Sequence, residues 1–421
     1  MVSVRNAVAA IAAMMVAGAG LAACSSSSAS ATPTLHYYIF KDNSGAFQSA
    51  INNCNKAANG AYRIEYDLLP PAADDQRQQL VRRLAAHDSA LDILGMDVVW
   101  APEFAQAGWV REWTGSLKDQ VTQDTLATAI QTGSWQGKLY AAPLNSNTQL
   151  LWYRKDLVPN PPATWDEMIQ DAINLGRQGK PGKVEIQGAQ YEGLTVWFNT
   201  MVNSAQGKIL SPDGKQVSLD QAAVAALTEM RKLAASPAAD TSLAVQKEDD
   251  NRLAFESGTA AFQLNYPFVY PSALKNKPDL AKNMGWTQFP SVVPGQPSKV
   301  TIGGIDLGIS SYSKHPDLAF QAVACLRNSD NQKVNAVTGG LPPTVISLYS
   351  DPSVQKQYPF ASDILTALQN ASVRPQTPAY TSVSSVISSY LSPPSSINPV
   401  HTVNRLRSGI HDALNSKGLI P

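Results

Sequence analysis

Between Thr34 and Val99 the chain alternates strand-like and helix-like segments, and that alternation narrows the fold more than any other feature. Thr34–Ile39 (TLHYYI) is short and aromatic, as a strand is, and Lys41-Asp42-Asn43-Ser44-Gly45 is a turn cluster. From Ala46 to Ala57, apolar residues recur at Phe47, Ala50, Ile51, Cys54 and Ala57, a helical spacing with Asn43 or Ser44 as N-cap. Tyr62–Leu69 alternates like a strand, Gln76–Ala86 is an amphipathic helix, and Leu91–Val99 is a strand ending near Asp97. Strand–helix–strand–helix–strand predicts a βαβ-type α/β lobe. Such sheets bind ligands beyond the carboxyl ends of their strands. Asn43, Gln76 and Asp97 fall near such ends or at the helix starts that follow, and are candidate contacts.

A second constraint is Leu139–Leu157, LYAAPLNSNTQLLWYRKDL. Pro143 forces extended geometry on the residue before it. Asn145, Ser146 and Asn147 interrupt two strand-length apolar runs, where a buried strand tolerates amides only if they find partners. One reading is an ordinary turn within one sheet. The reading preferred here is a crossing between two lobes that exposes amides at a cleft.

The 421 residues suffice for two or three domains. Lys and Arg number 33, as do Asp and Glu, so formal net charge is zero. A nucleic-acid surface needs a cationic surplus, and a highly charged ligand needs a steering field; a neutral ligand fits better. At the N-terminus, Arg5 precedes the apolar, small-residue run Val8–Ala22, too short for a comfortable membrane span and shaped like an export leader. The ending Leu21-Ala22-Ala23-Cys24 resembles a bacterial lipobox, in which the cysteine becomes the lipid-bearing first mature residue; a plain leader with a chance cysteine is the alternative. Ser-rich residues then read as a tether. Residues 1–23 are thus expected as signal peptide and 24–33 as a lipid-anchored tether outside the membrane. Cys54 and Cys325 remain, a natural disulfide pair in an exported protein, or two separate buried thiols.

Further along, Pro102–Gly108 and Leu117–Thr132 read as helices, with Trp109, Trp113 and Trp135 in loops as core or rim packing or as sugar-stacking faces. Thr164 with Glu167 forms a capping box. Helices follow at Leu194–Ala205, Asp220–Ala235 and Asn251–Ser257, and Ala260–Leu264 is a strand running into Asn265-Tyr266-Pro267-Phe268. A Pro/Gly-rich linker at Val292–Lys299 precedes a glycine-bearing strand, Ile302–Ile309, and a helix, Pro316–Arg327, that carries Cys325. Gly339–Pro343 is a third break, and the rest is short helices.

No phosphate-binding glycine loop, HExxH, metal-spaced Cys/His set or GxSxG elbow occurs, and no cofactor is expected. A glycosidase needs only two carboxylates at a set separation, and Asp97, Glu192 and Glu248 are candidates. Each of these also reads as a cap or a solvated surface group. The residues equally suit a neutral polyol held by planar polar groups and an aromatic face. Asn43, Gln76, Asp97, Asn147, Glu248 and Arg374 supply the polar part and Tyr266 the ring, while Gly303-Gly304 permits close backbone approach or is a tight bend.

The run PLNSNTQLLWYRKDL followed by TWDEM resembles the extracytoplasmic sugar-binding proteins of ABC importers. RRL at Arg82–Leu84, MDVVW at Met96–Trp100, FAQAGW at Phe104–Trp109, EGLTVWFNT at Glu192–Thr200, VTIGG at Val300–Gly304, GGLP at Gly339–Pro342, SLYSDP at Ser347–Pro352 and VRPQTPAY at Val373–Tyr380 are similar to the mycobacterial trehalose-binding lipoproteins among them. The resemblance spans almost the whole mature chain. It implies a two-lobe α/β fold of the periplasmic-binding-protein type (type II) with three interlobe crossings. Residues 34–144 with 300–341 are expected as lobe 1, and 145–299 with 342–421 as lobe 2. It also implies trehalose in the interlobe cleft, ABC permease subunits with their ATPase as partners, no catalysis and no nucleic acid, and a monomer when soluble. Carried over motif by motif, the ligand set is Gln76, Asp97, Asn147, Glu248, Gly303, Gly304 and Arg374, with Asn43 on a loop that reads differently. Tyr266 stands where the family pattern puts Trp, and a long insertion between Phe268 and Val293 in mycobacterial members is lacking here. Asn145 is expected as a hinge or supporting residue. The rivals are a secreted glycoside hydrolase and a sugar-sensing binding protein.

Overall fold

The computed structural model describes residues 32–417. The leader, Cys24 and the tether as far as residue 31 lie outside these residues.

The opening alternation folds as a parallel unit. Strand β1 (Thr34–Phe40), helix α1 (Ala46–Ala57), strand β2 (Arg63–Leu69), helix α2 (Ala73–Ala85) and strand β3 (Ile93–Asp97) follow in order. β1 pairs parallel with both β2 and β3. Strands buried on two faces read as apolar runs rather than alternation, and in β3 Ile93–Met96 are all buried. Helix α1 is not capped by Asn43 or Ser44: its N-cap is Gly45, and the Asp42 carboxylate accepts from the amides of Ser44 and Phe47. The segment expected as one helix, Leu117–Thr132, is two, Gly115–Thr122 and Ala127–Thr132, parted by Asp124 at positive φ.

Strand β4 (Ala141–Asn147) joins the same sheet, and strand β5 (Leu150–Arg154) opens another. Two residues, Thr148 and Gln149, separate them, so Leu139–Leu157 is a crossing and not a hairpin. The second sheet gains strand β6 (Lys183–Glu185), then helix α3 (Glu192–Ser204), helix α4 (Glu248–Ser257), strand β7 (Ala260–Asn265) and strand β8 (Met284–Thr287) follow. Its strand order is β8-β5-β7-β6. The chain then returns. Strand β9 (Gly303–Ile309) inserts antiparallel between β3 and β4, giving a five-stranded order β2-β1-β3-β9-β4. Helix α5 (Pro316–Leu326) packs on that sheet, and Cys325 is bonded to Cys54 of α1, with Cα atoms 5.8 Å apart. The last passage, at Leu341–Thr344, leads to helices that include α6 (Tyr380–Leu391), whose apolar face joins the core of the second sheet.

Apolar clusters follow this division. Two cover the faces of the five-stranded sheet, one around Phe47, Ile93 and Leu307, the other around Leu80, Met96 and Phe104. A larger one surrounds the four-stranded sheet and takes in Trp152, Trp165, Phe262 and Ile387. Trp113 is fully buried edge-on to Phe320, and the Trp135 indole donates to Gln106. The loop tryptophans therefore pack or cap and do not face the cleft.

Candidate functional site: a cleft between the two sheets

Residues from both sheets converge on a cavity of about 380 Å³. Asp97 ends β3, Asn147 ends β4, and Gly303-Gly304 begin β9; the antiparallel insertion of β9 is what brings its start beside those two strand ends. From the other side come Tyr191 and Glu192 at the head of α3, Glu248 at the head of α4, and Tyr266 with Phe268 just past β7. Arg374 lies between them.

Arg374 is the hub. One guanidinium nitrogen donates to Glu192 at 2.7 Å and the other to Asp97 at 3.2 Å. Glu192 also accepts from the hydroxyls of Tyr380 and Ser384. The cation is held by the segment around it: the Ser372 amide donates to the Val300 carbonyl, and Asn199 donates to the carbonyl of Val373. Burial by itself would lower the Arg374 pKa; Asp97, Tyr380 and Glu192 hold it well above the usual value. Burial raises the Asp97 carboxyl, Arg374 opposes that, and Glu192 adds to it. Burial and the Glu248 charge push up the phenols of Tyr266 and Tyr191. The lining carries three carboxylates, Asp97, Glu192 and Glu248, against Arg374, so the cleft is acidic on a chain of zero formal net charge.

Supporting bonds fix the walls. Asn265 donates to the Glu248 carbonyl at 2.9 Å and accepts from the Tyr266 amide at 2.9 Å, coupling two lining residues. Thr301 accepts from Asn199, and its amide donates to Thr200, tying the entry of β9 to α3. Gly304 has φ 135°, and a Cβ there would sit 2.2 Å from the Asn145 carbonyl oxygen. This glycine serves close strand pairing. Gly303 has room, since its Cβ would meet that of Asn147 at 3.5 Å.

Of the residues singled out from sequence, Asp97, Asn147, Glu248, Tyr266, Gly303, Gly304 and Arg374 line this cavity. Asn43 and Gln76 do not: Asn43 is exposed on its loop, and Gln76 is buried with its amide donating to the Pro71 carbonyl. Asn145 is buried behind the lining, its amide donating to Ser146. Tyr191, Phe268, Thr301 and Ile302 also line it and carry no signal in the sequence, where Glu192 reads only as half of a hydrolytic pair. The EGLTVWFNT and VTIGG runs held Glu192, Thr301 and Ile302, but nothing in the spacing aimed them at a cleft.

The profile of the bacterial extracellular solute-binding proteins matches residues 30–333. The chain belongs to that family. A relative from Deinococcus radiodurans, described as a probable ABC transporter-binding protein, is 31% identical over 322 residues, covering 73% of this chain and 75% of its own. Among solved solute-binding proteins, the maltose-bound MalE3 of T. maritima superimposes with a TM-score of 0.77 at 25% identity over 90% of this chain and 98% of that one. The GacH receptor of Streptomyces glaucescens, solved free and with acarbose, gives 0.77 at 20% identity over 92% and 100%. The cyclic alpha-maltosyl-1,6-maltose binding protein of Arthrobacter globiformis gives 0.74 at 20% over 91% and 99%. These last two show the shared fold. Membership in this extracellular family places the protein outside the cytoplasm, and proteins of the family bind solutes.

Proposed function

We propose that the protein captures trehalose, or a close α-linked disaccharide, between its two lobes and delivers it to the permease subunits of an ABC importer driven by their ATPase. The observation that carries this reading is the convergence of Asp97, Asn147, Glu192, Glu248 and Tyr266 from two sheets, joined by Arg374. Carboxylates, an amide and a guanidinium match paired hydroxyls, and Tyr266 offers a ring face to sugar C–H groups. The names of the similar proteins, an ABC transporter-binding protein and binders of maltose and acarbose, support a sugar ligand and an importer partner. The similarity to the mycobacterial trehalose-binding lipoprotein LpqY supports the disaccharide.

The lobes are those expected from sequence, residues 34–144 with 300–341 and residues 145–299 with 342–421, with the first crossing moved to Thr148-Gln149 so that Asn145–Asn147, paired in β4 with β9, belong to the first. Ligand contacts from both favour the closed state, so the sugar itself drives hinge closure. Cys24 carries the lipid that holds the protein at the outer face of the membrane, and the ligand is not chemically altered. Calorimetry with trehalose, maltose and glucose tests the specificity: trehalose should bind tightest by at least about tenfold. Release of glucose from trehalose by the purified protein would refute the binding-protein reading in favour of a hydrolase.

A further inference from the structure

The cleft continues past the Arg374 ion pairs. A second cavity of about 750 Å³ adjoins the 380 Å³ one and shares Asp97, Tyr191, Glu192 and Arg374 with it as a common wall. Its other sides are the first turns of α2, with Asp74 and Gln78, and one face of α6. On that helix Thr381, Ser385 and Ser388 recur at helical spacing and line the chamber together with the Asp74 carboxylate and the Gln78 amide of α2, the Ser388 hydroxyl donating to the Ser385 carbonyl. Trp100, stacked on Phe104 at 5.9 Å, also lines it.

Hydroxyls, an amide, a carboxylate and an indole are the groups that hold a polyol ring. Phosphorylated sugars fit poorly, because the cations that line the chamber are engaged, Arg77 with Glu103, Arg374 with Asp97 and Glu192, and Lys247 over the Tyr191 ring at 5.0 Å, while α2 adds Asp74 and Asp75. The smaller cavity lies at the low end of the roughly 300–1,000 Å³ typical of ligand pockets, so a disaccharide held there leaves the larger one open beside it. We propose that the second chamber is a subsite for one further neutral hexose, so that the protein also captures trisaccharides that extend its disaccharide. This rests on the sugar-binding reading above.

Calorimetry on the full mature protein tests it with two matched pairs, trehalose against glucosyl-trehalose and maltose against maltotriose. At least one trisaccharide should bind about tenfold tighter than the disaccharide it contains. Thr381→Trp and Ser385→Trp, which fill the second chamber from α6, should erase that gain while leaving disaccharide affinity within about twofold. Equal affinity within both pairs, or a gain that survives both substitutions, overturns the subsite. If the maltose pair shows the gain and trehalose does not bind, the trehalose assignment fails and the subsite stands. Circular dichroism of both variants shows whether they fold; since Thr381 is exposed, Thr381→Trp alone decides the matter if Ser385→Trp does not.

Discussion

Replacing Arg374 with Gln tests whether one buried cation organises the cleft. The side chain is 6% exposed and bonds both Asp97, 26% exposed, and Glu192, 38% exposed. Its loss leaves a cleft with three carboxylates and no counter-charge from its lining. A hydrogen bond to a charged group contributes about 1.5–3 kcal/mol, and two are lost here. Breaking a fully buried pair costs about 3–5 kcal/mol. Water reaches both carboxylates, and Glu192 keeps Tyr380 and Ser384, so the stability loss should be smaller, about 1–3 kcal/mol. Affinity for trehalose, the proposed ligand, should fall about 30- to 1,000-fold, from a loss of about 2–4 kcal/mol. Arg374→Lys keeps the charge but lacks the planar fork that spans two carboxylates, and should recover less than about a tenth of the wild-type affinity. Titration calorimetry and thermal melts by circular dichroism measure both quantities. A folded Arg374→Gln variant that binds trehalose within about threefold of wild type would refute the assignment of Arg374 as the hub.

Glu185 is fully buried on β6 with its carboxyl pushed from 4.5 to about 7, by burial first and then by Asp240. Its raised folded pKa favours the neutral acid, so stability is greatest below the unfolded value and falls by about 3 kcal/mol as pH rises from about 4.5 through about 7. Glu185→Gln should flatten that slope in denaturant titrations at stepped pH; an unchanged slope would mean another group titrates. Peptide mapping without reductant should recover Cys54 linked to Cys325, which are 271 residues apart, and the double serine variant should lose about 2–5 kcal/mol of stability. Separate Cys54 and Cys325 peptides would rule the bond out. Gly304→Ala should cost about 2 kcal/mol, because φ 135° and the Asn145 carbonyl both oppose a Cβ, whereas Gly303→Ala should cost less than about 1 kcal/mol. Equal losses would show that Gly304 is not the constrained position.

The elements legible in the sequence are those whose determinants are local. The alternation from Thr34 to Val99 became β1 to β3 because a period of two and a period of 3.6 differ within a few residues. The capping box formed as spaced, with Thr164 accepting from the Glu167 amide at 3.2 Å and Glu167 accepting from the Thr164 amide at 3.1 Å. What failed to show depends on distant partners. The break between Gly115–Thr122 and Ala127–Thr132 turns on Asp124, whose carbonyl and carboxylate accept from Ile346 and Ser347, more than two hundred residues on. The site divides in the same way. Asp97 could be named from its strand end and Asn147 from the amides that interrupt two apolar runs, whereas the strand-end rule also named Asn43 and Gln76, which do not line the cavity. The Arg374–Asp97 contact closes across 277 residues, and Tyr191 and Glu192 reach the cleft through the placement of α3, which no local pattern reports.

The crossing at Leu139–Leu157 links these strands of argument. β4 ends at Asn147 in one sheet and β5 begins at Leu150 in the other, and the two residues between them are buried. Asn147 is therefore both a cleft residue and a neighbour of the link about which the proposed closure turns. A group so close to a rotation axis moves little when lobes rotate, whereas Glu248 and Tyr266, carried by α4 and the end of β7, move more. On that reading Asn147, with Asp97 and the start of β9 in the same sheet, holds the sugar before closure, and the far wall then completes its hydrogen bonds. In the proposed mechanism that division makes closure depend on the ligand, because the contacts that favour the closed state form only when the sugar spans both walls. The same arrangement gives Arg374 a place between the walls: without a cation there, Asp97 and Glu192 would set like charges against each other across the cleft.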